Sequence, residues 1–304
     1  MEKFEVTILG CGSALPTTRH MASSQVVNIR EKLFMIDCGE GTQTQLRSTH
    51  LRFNKLGHIF ISHLHGDHCF GLTGMISTFD LLGRTAPLHI YAPTDIEAVL
   101  RPQIEYFCKG IAYTVEIHEV NPKENTCIYD DRSVSVWTIP LKHRVPCCGY
   151  LFREKPTLPH IKRDMIDFYH IPTYAIRDIK EGADWETEDG TIVPNARLTS
   201  PAAPVRSYAY CSDTLYRPSI AEYLKDVTVL YHEATFAEEH ATRAKQTFHS
   251  TARQAATIAQ MSGAKQLCIG HFSSRYETED TLLNEAKEVF NNTFLAHEGL
   301  TFDI

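Results

Sequence analysis

The sequence predicts an α/β protein, on three observations. Short apolar runs rich in Val, Ile, Phe and Tyr alternate with segments whose apolar residues recur at helical spacing. Gly, Pro, Asp and Asn stand between them as turn formers. The 304 residues are 43% hydrophobic and 22% charged, ordinary for a globular chain with a buried core and unlike disorder, collagen or coiled coil.

Residues 4–9 (FEVTIL) read as a strand ended by Gly10, Gly12 and Pro16. Residues 26–29 and 33–36 read as two more, followed by the turn Asp37-Cys38-Gly39. A short helix is expected at 41–48, then strand 58–62 (HIFIS) running into a polar loop at 63–69. Helical spacing over 70–82 stops at Gly83. Strand 88–91, helix 95–107 and strands 113–119, 133–141 and 149–152 come next. Strands at 207–211, 227–231 and 266–269 then alternate with helices at 218–224, 251–261 and 277–290. Residues 153–200 interrupt this rhythm with four prolines, many charges and little strand pattern. So long an irregular stretch is either a solvated cover or a protruding arm that binds a partner.

The length suits one large domain or two small ones. No run of about 18 apolar residues predicts a membrane helix, and the acidic N-terminus lacks a secretory pattern. Nine cysteines, an odd number without a CxxC pair, predict reduced thiols in a cytoplasmic protein. Lys plus Arg is 30 against 37 Asp plus Glu, a formal charge of −7. That argues against a basic coat, although a local patch or a bound metal can reverse the field in one cleft.

The densest chemistry lies at His63-Leu64-His65-Gly66-Asp67-His68. At composition frequencies of roughly 5% for His and Asp, this HxHxDH window arises by chance in about two chains per thousand. Three imidazoles and a carboxylate suit zinc, and alternate residues of such a loop can face two neighbouring sites. Further ligands must come from elsewhere. His143, Asp213 and His271 each follow a predicted strand, where α/β sites gather. Asp213 is the natural bridge, because one carboxylate can span two ions. Manganese, cobalt or iron would also accept these donors.

HxHxDH, the later His, Ser212-Asp213-Thr214 and Gly270-His271 resemble the metallo-β-lactamase fold superfamily. More specific are the runs Asp37 to Gln43 (DCGEGTQ), His232 to Thr235 (HEAT), His249 to Thr251 (HST) and His271 to Tyr276 (HFSSRY). Together, over nearly the whole chain, they resemble the ribonuclease Z family of tRNA 3′-processing endonucleases in its short form. The resemblance implies an αββα sandwich, two mixed sheets with helices outside, formed by residues 1–304 as a single domain. It implies an inserted flexible exosite arm at 152–197. It implies one zinc on His63, His65 and His143 and a second on Asp67, His68 and His271, with Asp213 bridging and Asp37 supporting the site.

The implied activity removes 3′ trailers from precursor tRNA by hydrolysis after the discriminator base, leaving a tRNA 3′-hydroxyl. Asp67 would handle the proton of the attacking water. His249 would protonate the leaving 3′-oxygen, oriented and kept charged by Glu233. For His232 a packing or capping role near the strand end stands beside any functional one. A homodimer, no membrane association and a cytoplasmic location are implied with it. Ser24 and Arg275 are candidate phosphate contacts, and Arg19 reads as solvent-facing. Arg153, Lys155, Lys162 and Arg163 are candidate tRNA contacts.

Two departures stand out. The arm carries seven Lys plus Arg against nine Asp plus Glu, and Ile171-Pro172-Thr173 occupies the place of a Gly-Pro pair. The run after Pro16 (PTTRHMASS) differs from the family pattern, so no preference toward precursors already bearing CCA is predicted. A binuclear phosphodiesterase acting on small or cyclic nucleotide diesters, with 153–200 as a lid, is the alternative enzyme. A non-catalytic RNA-binding protein with a degenerate site is the other.

Overall fold

The computed structural model describes residues 2–304, in two compact units. The larger comprises the chain up to Arg153 together with Arg206–Ile304. It holds two seven-stranded sheets. The first runs in the order Thr301–Asp303, Phe4–Gly10, Ser24–Ile29, Lys32–Ile36, Leu56–Phe60, Leu88–Pro93 and Val115–Val120. Its first three pairings are antiparallel and its last three parallel. The second runs Thr293–Leu295, Gln266–Gly270, Val229–Glu233, Ser207–Cys211, Cys148–Glu154, Val134–Pro140 and Cys127–Asp130.

Period-two alternation decides which face meets which layer. Phe34, Ile36 and Phe60 turn inward and pack with Tyr150, Phe152 and Tyr210 of the second sheet. The Phe60 ring lies 5.3 Å from Tyr150 and 5.5 Å from Phe152. Met35, Ile59 and Ile61 turn the other way, onto Met75, Ile76 and Phe79 of helix Leu72–Leu81 and Leu100 and Ile104 of helix Ile96–Phe107. Helix Ala252–Ser262 covers the second sheet with Ala255, Ala256, Ile258 and Ala259. The result is an αββα sandwich. Burying a side chain such as Phe60 stabilises it by roughly 1.5–3 kcal/mol.

Expected and observed elements differ in instructive places. The polar loop at 63–69 folds its second half into the helical turn Gly66–Cys69, and the helix expected from 70 begins at Leu72. Gly71 sits between them because a Cβ there would stand 2.2 Å from the Gly39 carbonyl oxygen. The expected helix at 218–224 is a 3-10 turn, Pro218–Glu222. The short strands Cys127–Asp130, Thr293–Leu295 and Thr301–Asp303 and the helix Ala241–Thr247 were not expected.

The second unit is Glu154–Val205. Its small core contains Ile171, Ala175, Ile179, Val193 and Leu198. Its bounds differ from 152–197 for a reason of pairing. Phe152 and Arg153 still pair with Tyr208 and Ser207, whereas Thr199 and Ser200 pair with Ile161 and His160 inside the second unit. No disulfide joins the cysteines, and no helix among the described residues is long and apolar enough to cross a membrane.

Candidate active site

Parallel strands deliver the site's residues to one edge. Leu56–Phe60 runs out to His63, Ser207–Cys211 to Asp213, Val229–Glu233 ends on Glu233, and Gln266–Gly270 runs out to His271. Val134–Pro140 adds His143. Asp37, Asp213 and His271 all have positive φ, at 56°, 56° and 60°. Left-handed backbone at non-glycine residues costs of order 1–3 kcal/mol each and gathers at functional sites.

Two sets of donor atoms converge. In the first, His63 Nε2 lies 3.0 Å from His65 Nδ1, and His143 Nε2 lies 3.2 Å from the same atom. Asp213 Oδ2 lies 3.7 Å from both His63 Nε2 and His143 Nε2. In the second, His68 Nε2 lies 3.3 Å from Asp67 Oδ2, and His271 Nε2 lies 3.7 Å from that oxygen. The other Asp213 oxygen, Oδ1, lies 3.2 Å from His68 Nε2 and 3.1 Å from His271 Nε2. Ligand bonds of about 2.0–2.2 Å at tetrahedral angles set donor atoms roughly 3.3–3.6 Å apart. The separations in both sets, 3.0–3.7 Å, lie within about 0.3 Å of that spacing, and one Asp213 carboxylate oxygen belongs to each set.

Hydrogen bonds behind the rings decide which nitrogen faces inward. His68 Nδ1 donates to Asp37 Oδ2 at 2.7 Å. His143 Nδ1 donates to the Phe248 carbonyl at 3.1 Å, and His271 Nδ1 to Thr235 Oγ1 at 2.9 Å. His63 Nδ1 donates to Ser62 Oγ at 3.1 Å. Each opposite Nε2 then presents a lone pair. The Nε2 atoms of His68 and His271 are buried and unpartnered by any hydrogen bond among the described residues, yet they face carboxylate oxygens. Lone pairs aimed at carboxylates inside a protein call for a cation between them.

The charge balance agrees. Burial would lower His68, but Asp213, Asp37 and Asp67 around it raise it well above the usual imidazole range: three carboxylates draw positive charge to its Nε2, a proton or, in the proton's place, a metal ion that takes the lone pair. Burial holds His63, His65 and His143 below that range, in the neutral form that can ligate. Burial would raise Asp67, but His68 and His271 override it and hold the carboxyl below the usual carboxylate range. The donors therefore fit divalent metal, and their identity as imidazole and carboxylate suits zinc.

Asp37 supports the cluster from a fully buried position. Its Oδ1 accepts the Ser62 amide at 2.7 Å, and Oδ2 accepts the Ser62 hydroxyl at 2.9 Å and the Tyr210 hydroxyl at 2.7 Å besides His68. A second pair stands beside the donors. Buried Glu233 accepts His249 Nδ1 at 2.9 Å, the Thr214 amide at 2.7 Å and the Thr235 hydroxyl at 2.5 Å. Burial would lower His249, but the Glu233 carboxylate prevails and pushes it up to about 9. His249 is placed by its neighbours: Ser250 Oγ donates to the Thr214 carbonyl, and Thr251 with Gln254 forms a capping box on the following helix.

A cavity of about 480 Å³ opens over these groups, lined by His65, Asp67, His143, Asp213, His249 and His271. Arg144, Arg243 and Arg275 also line it, and all three side chains are exposed. The Arg275 guanidinium lies 5.3 Å over the Phe236 ring. Three cations at one mouth make a local positive patch on an acidic chain.

Other expected contacts lie elsewhere. Ser24 is buried and its hydroxyl donates to the Asp37 carbonyl at 3.0 Å, so it faces the core and cannot meet phosphate. Arg19 is exposed, as expected, and its guanidinium is also held at the surface: it donates to the Tyr276 carbonyl, to the Glu277 carbonyl at 2.6 Å and to Glu279 at 2.9 Å. His232 is buried, with Nδ1 donating to the Glu233 carbonyl at 2.8 Å. Arg153 belongs to the larger unit and Lys155, Lys162 and Arg163 to the smaller. There Lys162 Nζ donates to the Arg197 carbonyl at 3.0 Å, and exposed Arg163 lies 3.7 Å from Asp167. Sequence reasoning did not single out Ser62, Tyr210, Thr235, Arg144 or Arg243. Thr235 lies inside the HEAT run, so a signal for it existed. Tyr210 alternates along its strand like any core aromatic.

Comparison with known proteins follows this geometry. A family model described as Anti-Pycsar protein Apyc1 matches residues 4–155. The chain is 62% identical to Ribonuclease Z of Bacteroides thetaiotaomicron over 304 residues, covering all of this chain and 96% of that protein. It is 60% identical to Ribonuclease Z of Bacteroides fragilis over the full length of both. Among solved structures, human tRNase Z, short form, matches with a TM-score of 0.71 and 24% identity over 99% of each chain, a likeness of fold.

Proposed function

The chain belongs to the ribonuclease Z family, and from that premise we propose that it is a metal-dependent endoribonuclease removing 3′ trailers from precursor tRNA. It cuts after the discriminator base and leaves a tRNA 3′-hydroxyl. The observation that carries this reading is the pair of donor sets joined by the two oxygens of Asp213, with the Glu233–His249 pair beside them.

We assign His63, His65 and His143 to one ion and Asp67, His68 and His271 to the other, with Asp213 bridging. Two divalent ions there, zinc by the nature of the donors, would activate water and neutralise charge on the phosphodiester. The chain's own residues do the rest. Asp67 faces the cavity as a carboxylate and takes up the proton of the attacking water. His249 carries a proton because Glu233 stabilises its charged form, and it gives that proton to the leaving 3′-oxygen. Proton transfer of this kind contributes about 10²–10⁴-fold. Arg144, Arg243 and Arg275 hold phosphates of the strand entering the cavity.

We assign the unit Glu154–Val205 to gripping the tRNA body, with Lys155, Lys162 and Arg163, helped by Arg153. The working form is a homodimer. Exposed Leu81, Val99, Tyr106 and Phe107 on helices Leu72–Leu81 and Ile96–Phe107 support a second copy as their cover. Cysteines that form no disulfide support work in the reducing cytoplasm.

The test pairs a metal count with cleavage of a 3′-extended tRNA mapped to the nucleotide. About two zinc ions per chain and a single cut beside the discriminator are expected. Turnover of bis(p-nitrophenyl) phosphate with an intact precursor tRNA would overturn the proposal in favour of a small-diester phosphodiesterase.

A further inference from the structure

A second group of metal-ligating side chains lies on the parallel half of the first sheet, sharing no residue with the catalytic cluster. His89 pairs in register with Glu116, and Tyr91 with His118, across strands Leu88–Pro93 and Val115–Val120. Residues two apart on a strand share a face, so Glu116 and His118 project to the same side as His89. His89 Nδ1 lies 3.1 Å from His118 Nε2 and 3.3 Å from Glu116 Oε2. All three donor atoms lie within 4.8 Å of one another.

The rings are held in place from both sides. His58 stacks on His89 at 4.9 Å and 14°, and Tyr91 stacks on His118 at 4.5 Å and 17°. The two imidazoles are half-buried, whereas Glu116 is exposed and leaves a path for an ion. A surface trio joined only by chance would lose side-chain entropy in holding this arrangement. Stacking and strand pairing remove most of that cost before any ion arrives.

We propose that His89, Glu116 and His118 form a separate binding site for a zinc-class divalent ion, with water at the fourth position. The separations of 3.1 and 3.3 Å are close to those of ligands around an ion with bonds of about 2.0–2.2 Å. Two imidazoles and a carboxylate select zinc, nickel or cobalt over magnesium or calcium. The ion would tie Val115–Val120, the edge strand of its sheet, to its neighbour and so protect an edge open to mispairing.

The probe is Zn²⁺ itself. The full-length protein is loaded with excess Zn²⁺, desalted and counted by mass spectrometry, beside the double variant His89→Gln, His118→Gln and the single variant Glu116→Gln. The double variant should hold one ion fewer than the parent, with precursor-tRNA cleavage unchanged. Glu116 is exposed, so its variant carries no folding penalty, and it should weaken the extra ion at least tenfold in a chelator competition. Equal zinc counts and equal chelator curves in all three proteins would overturn the site. Because the readout is a difference of one ion between variants, a failure of the catalytic assignment would leave it unaffected.

Discussion

Asp37→Asn tests whether the residues behind the ligands set the metal affinity. The Asp37 side chain is fully buried and accepts four hydrogen bonds, one on Oδ1 and three on Oδ2. An asparagine amide must turn its NH₂ toward one of those groups. Facing Oδ2's partners, it would set a donor against three donors. Facing Ser62, it leaves one buried backbone N–H unpaired, the cheaper choice at about 1–3 kcal/mol. Asparagine tolerates the positive φ of 56° at this position, so the backbone does not confound the result. In that orientation His68 still donates to an oxygen, but one without a charge. Charge-assisted bonds are roughly twice as strong as neutral ones, and removing such outer partners costs about 10–100-fold in metal affinity. The variant should therefore lose zinc about 10–100-fold more readily in a chelator competition. It should unfold at a lower denaturant midpoint when metal-free. Zinc affinity within twofold of the parent would refute the claim that Asp37 works through His68. A weakened fold with unchanged affinity would leave it a stability role alone.

Other expectations follow from the same geometry. His249→Ala should lower precursor-tRNA cleavage by about 10²–10⁴-fold at unchanged metal content. It should spare bis(p-nitrophenyl) phosphate, whose leaving group needs no proton; equal losses on both would argue against a proton donor. Replacing Glu154–Val205 by a short Gly-Ser linker is feasible because Arg153 and Ser207 are register partners. The deletion should abolish tRNA cleavage and keep small-diester turnover, and a loss of both would remove the arm from substrate recognition. His20 is raised by its bond to Glu298, against burial, with Glu279 adding to the rise. A folded pKa above the ordinary 6.5 gives stability that is complete below pH 6.5 and fades as pH rises through the folded value. Denaturation of parent and His20→Gln should then differ most near pH 6 and converge at alkaline pH; a constant gap would assign His20 to packing.

Much of the molecule was legible in the chain. Strands such as 4–9 and 207–211 were visible from local alternation, and the HxHxDH run with His143, Asp213 and His271 named side chains that the fold brings together. The short strands Thr293–Leu295 and Thr301–Asp303 were not, because three residues carry no periodicity. Cys127–Asp130 is a partly exposed edge strand whose polar ends mask the pattern. Ser24 misled because a hydroxyl near a site reads the same whether it meets phosphate or a backbone carbonyl. Arg19 faces solvent as read, but its partners at 276–279 are remote in sequence and could not be seen from it.

The order of residues by itself determined the layered α/β architecture and the chemical types at the site, since both follow from local periodicity and from which side chains can ligate. Tertiary structure alone decided which nitrogen of each histidine faces inward, that the two oxygens of Asp213 divide between the donor sets, and that Arg144, Arg243 and Arg275 gather at one mouth. The physical reason is that hydrogen bonds and charges act over a few ångströms in space, between residues as far apart in the chain as Asp37 and Tyr210.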